Sequence, residues 1–264
     1  MKQITVITLV LILGLTTGCS KSKQAELTPE GSSDEELFQL GEEHIKKNPE
    51  KGRLYLRQVI DSFPKSFYAQ RAKLAISDSY FRQGDEGSMI IAASEYREFI
   101  QLYPYSPSAA FAQYQIGLTY YKKVLKPGRD QSKTHQALAE FRIVINKYPL
   151  SEEAEQAREK IQECEERLAE HSMSIAELYY KRNAYRASIS RLTEILTEYP
   201  NYTRMDKVYY LIADSYYRST LVEESVPYFR KLISDYPNSK YARKAVKRMD
   251  EIEKSQNKKD EEVP

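Results

Sequence analysis

Large apolar residues recur along the chain at fixed distances from an aromatic-proline pair. The pairs are Phe63-Pro64, Tyr103-Pro104, Tyr148-Pro149, Tyr199-Pro200 and Tyr236-Pro237. Eight residues before each proline stands Leu56, Tyr96, Phe141, Leu192 or Phe229. Five and four before stand Val59-Ile60, Phe99-Ile100, Val144-Ile145, Ile195-Leu196 and Leu232-Ile233. Twelve before stands a small residue: Gly52, Ala92, Ala137, Ser188 or Ser225. Apolar positions at these offsets share one stripe of an α-helix, and a small residue beside them lets a second helix come close. Upstream of each such helix a second pattern repeats, an apolar residue, a small one, and a ring three further on. Its instances are Leu40-Gly41 with His44, Ile76-Ser77 with Tyr80, Ile116-Gly117 with Tyr120, Ile175-Ala176 with Tyr179, and Ile212-Ala213 with Tyr216. The proline stops each second helix, since it lacks the N–H of a helix interior and biases the residue before it out of the α region. In "KYPLSEEAEQA" Ser151 then restarts a helix, as an N-cap with carboxylates in the first turn.

Five paired helices in register match the tetratricopeptide pattern. They predict an all-α fold, a right-handed α-solenoid of five helical hairpins in which each hairpin buries its stripe against its neighbours and the row offers a concave face. Two irregularities stand out. The second and third units carry extra residues between their helices, "RQGDEGSM" and "VLKPGRDQSKTH", with Pro127-Gly128 marking the latter as a loop. Pro149 and Ile175 are 26 residues apart, where the usual proline-to-isoleucine gap is 12. The additional residues, within "SEEAEQAREKIQECEERLAEHS", contain no glycine or proline and favour helix. One long helix from Ser151 to Lys181 is expected between repeats 3 and 4. A last amphipathic stretch, "SKYARKAVKRMDEIEKS", is expected to cap the end of the array.

Composition narrows the function. The 264 residues carry a net charge of +2, with 41% apolar and 30% charged residues, which leaves no basic footprint for nucleic acid. The start "MKQITVITLVLILGLTTGCSKSKQ" has Lys2, an apolar run too short to anchor as a spanning helix, and small residues up to Cys19. Leu15-Thr16-Thr17-Gly18-Cys19 resembles the processing site of bacterial lipoproteins, which implies covalent diacylglycerol and N-acyl lipid on Cys19. Thr16 stands where that site usually has leucine, and Ser20 rather than aspartate follows, which implies export to the outer membrane. The expected organisation is a signal peptide at 1–18, a flexible tether at 19–32, repeats 1–3 at 33–149, repeats 4–5 with the capping helix at 150–255, and a disordered tail at 256–264. With Cys19 acylated, Cys164 has no thiol partner and reads as a small helix-packing residue.

Catalytic chemistry is absent from the sequence. His44, His135 and His171 have no metal-ligand spacing, and there is no G-x-S-x-G, Walker loop, H-E-x-x-H or C-x-x-C. No cofactor and no enzyme activity are expected. Binding is the natural use of a solenoid. Positions on the first helices project Glu35, Phe38, Glu42 and Ile45 toward the groove from the first unit. The second projects Arg71, Leu74, Asp78 and Phe81 with Arg82, and the third Phe111, Tyr114, Leu118 and Tyr121 with Lys122. Rings mixed with cations suit an extended peptide with aromatic side chains and a carboxylate terminus.

The lipoprotein start, five tetratricopeptide units and the long helix leading into "AELYYKRNAYRASISRLTEILTEYP" resemble the BamD family, lipoproteins of the machinery that inserts β-barrels into the bacterial outer membrane. The resemblance covers about Ser33 to Ser255 and is most specific from Arg129 to Pro200, which includes "LAEHSMSIAELYYKRNAY". It implies a periplasm-facing scaffold whose first repeats receive unfolded outer-membrane proteins and whose last repeats dock the periplasmic domains of the barrel-forming, BamA-like partner. Arg191, in "SISRLTEIL", matches a family arginine associated with that docking. The third-unit loop departs from the family in length and sequence, so no loop contact is carried over. The alternative is a tetratricopeptide adaptor of the Tol-Pal type, which shares the Tyr-Pro-x-Ser repeats but usually follows a coiled-coil segment.

Overall fold

The computed structural model describes residues 31–261, which form eleven helices and no strand. They pair in order. α1 (Asp34–Ile45) lies on α2 (Pro49–Ser62), α3 (Phe67–Gln83) on α4 (Glu86–Leu102), and α5 (Ala109–Tyr121) on α6 (Ser132–Lys147). α7 (Glu152–Lys181) lies on α8 (Tyr185–Glu198) and α9 (Met205–Arg218) on α10 (Val222–Asp235), with α11 (Lys240–Glu261) closing the row. The expected signal peptide at 1–18 and the expected acylation site, Cys19, lie outside the described residues. The apolar interior is a chain of local clusters rather than one centre. Leu37, Leu56 and Ile76 join the first two hairpins, and Tyr96, Phe99 and Ile116 the second and third. Phe229, Leu232, Ala242 and Ile252 join the last hairpin to α11. That is the architecture of a tetratricopeptide solenoid, as the repeat predicts.

The aromatic-proline joints are five copies of one local structure. Phe63, Tyr103, Tyr148, Tyr199 and Tyr236 all have φ between −129° and −132° and ψ between 50° and 60°, outside the α region that a following proline disfavours. Each still donates its N–H to the carbonyl four residues back, and each accepts at its own carbonyl from the residue three further on. The Ser151 N-cap on the Ala154 N–H and the Ser33 capping box with Glu36 then start helices as expected. Packing at the small positions is close. A Cβ on Gly52 would come 2.5 Å from the Ile45 Cα, and one on Gly117 2.5 Å from the Phe141 ring.

The second unit has no inserted loop. Its extra residues lengthen both helices, and only Gly84 and Asp85 separate α3 from α4, with Gly84 in the left-handed region at φ +76° where glycine carries no Cβ penalty. The third unit does have a loop, and α7 clasps it. Arg167 donates to the Leu125 carbonyl at 2.8 Å, and His171 Nδ1 lies 2.5 Å from the Pro127 carbonyl. α11 continues to Glu261, past the end expected at Ser255, through residues without glycine or proline.

α7, 30 residues and about 45 Å long, belongs to two hairpins. Its first half carries Ala157, Cys164 and Leu168 into the cluster around Leu138 and Phe141 of the third unit. Its second half carries Ala169, Met173 and Ala176 into the cluster of Leu192, Ile195 and Ile212. The turn from α8 to α9 therefore meets the middle of α7. There the Thr203 N–H donates to Glu166 at 3.1 Å, the Tyr202 hydroxyl donates to Glu170, and Arg204 reaches both Glu170 oxygens at 2.8 and 2.9 Å.

Candidate groove and docking face

The first helices of the hairpins distribute the expected groove residues unevenly. Phe38 and Tyr114 are only 3% and 8% exposed. Phe38 packs at 5.3 Å on Tyr68 of the next hairpin, and Tyr114 at 5.5 Å on Phe141 of its own. These two rings hold the array together and are withdrawn from the groove, because a ring at that register finds its partner in the adjacent helix before it reaches water. Arg71 does face outward, with its guanidinium 4.5 Å above the Phe38 ring and 5.6 Å from Phe67. Lys122 lies 3.9 Å over the half-buried Phe81. These are cation–π contacts that fix the cations over apolar surface. Tyr121 packs at 6.1 Å on Phe141, its hydroxyl donates to Glu163 on the first half of α7, and Lys160 sits 4.8 Å over its ring. The long helix thus closes the third hairpin's side of the face.

What remains open is a recess between α1 and α3. Glu42, Ile45, Lys46, Ala75, Asp78 and Arg82 line it, and it continues past Pro49, Ser79 and Gln83. Asp78 accepts from the Tyr96 hydroxyl at 2.5 Å. Burial raises the Asp78 carboxyl above the usual aspartate range, opposed by the Tyr96 hydrogen bond and by the Arg82 charge, and burial beside Asp78 raises the Tyr96 phenol in turn. Arg82 is exposed at the rim and forms no ion pair among the described residues.

The sequence reading missed a counterpart of this arrangement in the fifth unit. Asp214 occupies the register of Asp78, immediately after the small residue, and is completely buried. It accepts from the Tyr180 hydroxyl, from Arg218 Nε at 2.5 Å and from Arg248 of α11 at 3.3 Å. The signal was legible as an acid and a base four apart, Asp78 with Arg82 and Asp214 with Arg218, repeated at one register. Arg191, expected at a docking face, is exposed on α8 and pairs with Glu194 of the same helix at 2.9 Å. Among the described residues no group of His, Cys, Asp and Glu is placed to hold a metal, and no helix is long and apolar enough to cross a membrane.

Comparison with known proteins gives this architecture its place. A family model described as YfiO, outer membrane lipoprotein, matches residues 30–225, the first four hairpins and α9 with the first turn of α10. The chain belongs to the YfiO family of outer membrane lipoproteins. Relatives carry the name outer membrane protein assembly factor BamD, so the family resemblance in the sequence holds. The protein from Caulobacter vibrioides is 31% identical over 189 residues, 71% of this chain and 61% of that one, less than two thirds of its length. The protein from Pasteurella multocida is 28% identical over 196 residues, 70% of this chain and 73% of that one. The protein from Haemophilus influenzae is 24% identical over 212 residues, 76% and 79% of the two chains. These YfiO-type relatives are named for outer-membrane assembly and not for a Tol-Pal role, and the Tol-Pal alternative is set aside.

Proposed function

We propose that this chain is an outer membrane protein assembly factor, a non-catalytic scaffold acylated at Cys19 and facing the periplasm. In this reading repeats 1–3, residues 33–149, receive unfolded outer-membrane proteins, and repeats 4–5 with α11, residues 150–255, hold the barrel-assembly partner. The observation that carries it is the similarity of nearly the whole repeat array to proteins named as assembly factors. The open recess at Asp78 and Arg82 supports a substrate role for the first half. A flexible segment laid there meets an apolar wall at Ile45 and Ala75, and its carboxylate meets a guanidinium with no competing ion pair. Exposed Arg191 on α8 supports a docking role for the second half, since an arginine held only by an exposed neighbour is free to re-pair across an interface.

Depletion of the protein tests the reading. Folded, heat-modifiable barrel proteins are expected to fall in the outer membrane while their unfolded precursors accumulate in the periplasm; unchanged folded levels would defeat it. Co-purification from detergent-solubilised membranes is expected to recover a barrel-forming protein with periplasmic domains.

A further inference from the structure

The turns that lead into α3, α5 and α7 carry apolar side chains that contribute to no core cluster. Phe67 is 70% exposed, Tyr105 98% and Leu150 100%, and Leu102 at the end of α4 is half-exposed. They share one edge of the solenoid. The Ser66 hydroxyl at the start of α3 donates to Asp34 at the start of α1 at 2.5 Å, and the Gln70 amide donates to Ser106 just before α5. α7 runs beside α5 at the same level. Tyr121, 12 residues past the start of α5, bonds Glu163, 11 residues past the start of α7. The corresponding turns of the second half differ in two ways. Their exposed residues after the proline are Asn201 and Asn238 rather than Tyr105 and Leu150. They are also set back, because the turn into α9 binds Glu166, 14 residues and about 21 Å along α7 from its first residue Glu152.

The chain before α1 joins the molecule at this same protruding edge. Cys19 precedes the Ser33 cap by 14 residues, a span of at most about 50 Å when fully extended. An acyl group there tethers the fold at this edge, which is therefore the part of the fold where the anchored chain enters. From this placement we infer that the edge formed by Phe67, Leu102, Tyr105 and Leu150 rests in the lipid headgroup region of the membrane that holds the anchor. The inference relies on the acylation of Cys19 proposed above. One or two apolar residues on each of three successive turns, with a fully exposed tyrosine among them, match a headgroup–acyl boundary, where amphipathic rings and isolated aliphatic side chains are accommodated individually. They form no continuous groove that a protein helix or strand would fill. The second half, set back and tipped with asparagine, is held clear of the lipid and left open to soluble domains.

The absence of tryptophan makes the test direct, because Tyr105→Trp, Leu150→Trp and Leu221→Trp each introduce a single indole, read by excitation at the red edge where the 22 tyrosines do not absorb. Leu221 caps the start of α10, on the opposite edge, and is 37% exposed, so each fluorophore is compared with its own spectrum and quenching in the absence of vesicles. The full acylated protein is reconstituted on vesicles of phosphatidylethanolamine and phosphatidylglycerol, with and without lipid spin-labelled near the headgroup. Flotation with the vesicles reads the anchor on its own. In floated protein the Tyr105→Trp and Leu150→Trp fluorophores are expected to shift to the blue and to be quenched at least about twofold more than that of Leu221→Trp. Equal quenching in all three overturns the inference while leaving the anchor intact. A blue shift that requires an added barrel-assembly protein overturns it in favour of a protein occupant. Failure to float overturns both the anchor and the inference.

Discussion

Arg218 donates to Asp214 at 2.5 Å from one turn along α9, whereas Arg82, one turn along α3 from Asp78, stays at the rim of a recess without an ion pair. The same two residues at the same register are a closed structural pair at one end of the solenoid and an open one at the other. The difference lies in the neighbouring helices: α7 brings the Tyr180 hydroxyl and α11 brings Arg248 to Asp214, whereas among the described residues Asp78 accepts only from the Tyr96 hydroxyl.

The closed pair is structural. Asp214→Ala removes the acceptor shared by Tyr180, Arg218 and Arg248. It is expected to destabilise the C-terminal hairpins by about 2–3 kcal/mol, below the figure for a fully enclosed pair because Arg218 is half-exposed to water. Urea denaturation followed by circular dichroism reads the loss. A midpoint within error of the parent chain would show that the network contributes no net stability.

At Asp78 the sign is opposite. Its carboxyl is raised by burial, so the ionised form is disfavoured in the fold, and the stability that the protonated form supplies is lost as pH rises from the unfolded value near 3.8 through the raised folded value. Asp78→Asn keeps an acceptor for the Tyr96 hydroxyl without the charge. It is expected to melt at or above the parent temperature at neutral pH, with the gap closing as the pH falls toward 4. Melting curves across that range check it, and a variant that melts lower at neutral pH would contradict the assignment.

Gly52 faces backbone rather than a movable side chain. A methyl there meets the Ile45 Cα at 2.5 Å, so Gly52→Ala must separate α1 from α2 and is expected to cost about 1–3 kcal/mol. Ala92 and Ala137, at the same place in the next two units, already carry that methyl because their hairpins are spaced for it. Comparison of Gly52→Ala and Ala92→Gly by chemical denaturation separates local crowding from a general effect of helix propensity.

Cys164 sits in the α7 cluster with Leu138, Phe141 and Leu168, and burial pushes its thiol up to about 12. The thiolate that reacts with disulfide reagents is therefore almost absent at neutral pH. With Cys19 acylated or replaced by serine, the folded chain is expected to show no titratable thiol until denaturant is added. Prompt labelling of the native protein would place α7 away from the third hairpin.

Arg191 offers the converse case, a residue with little structural work. Its bond to Glu194 is an exposed pair one turn apart, so Arg191→Glu is expected to change stability by less than about 0.5 kcal/mol. Under the docking role it nevertheless lowers recovery of the barrel-assembly partner in pull-downs at equal expression. Undiminished recovery would remove Arg191 from the docking face.

Much of this was written into the sequence. The spacing of Leu56, Tyr96, Phe141, Leu192 and Phe229 from their prolines determined where each second helix lies and which stripe it buries, because helical periodicity and proline sterics act locally. The glycine-free, proline-free run after Ser151 determined a single long helix for the same reason. Local rules could not say which rings face a groove. Phe38 and Tyr114 occupy a register expected to face the groove, yet Tyr68 and Phe141 on neighbouring helices capture them, and only the packed array brings those rings within reach. Tertiary structure likewise decided that α7 serves two cores, that Tyr180, Arg218 and Arg248 converge on Asp214, and that four apolar side chains from three successive turns line one edge. Each depends on distances between segments far apart in the chain, which are set by the stacking of hairpins and by no single stretch of residues.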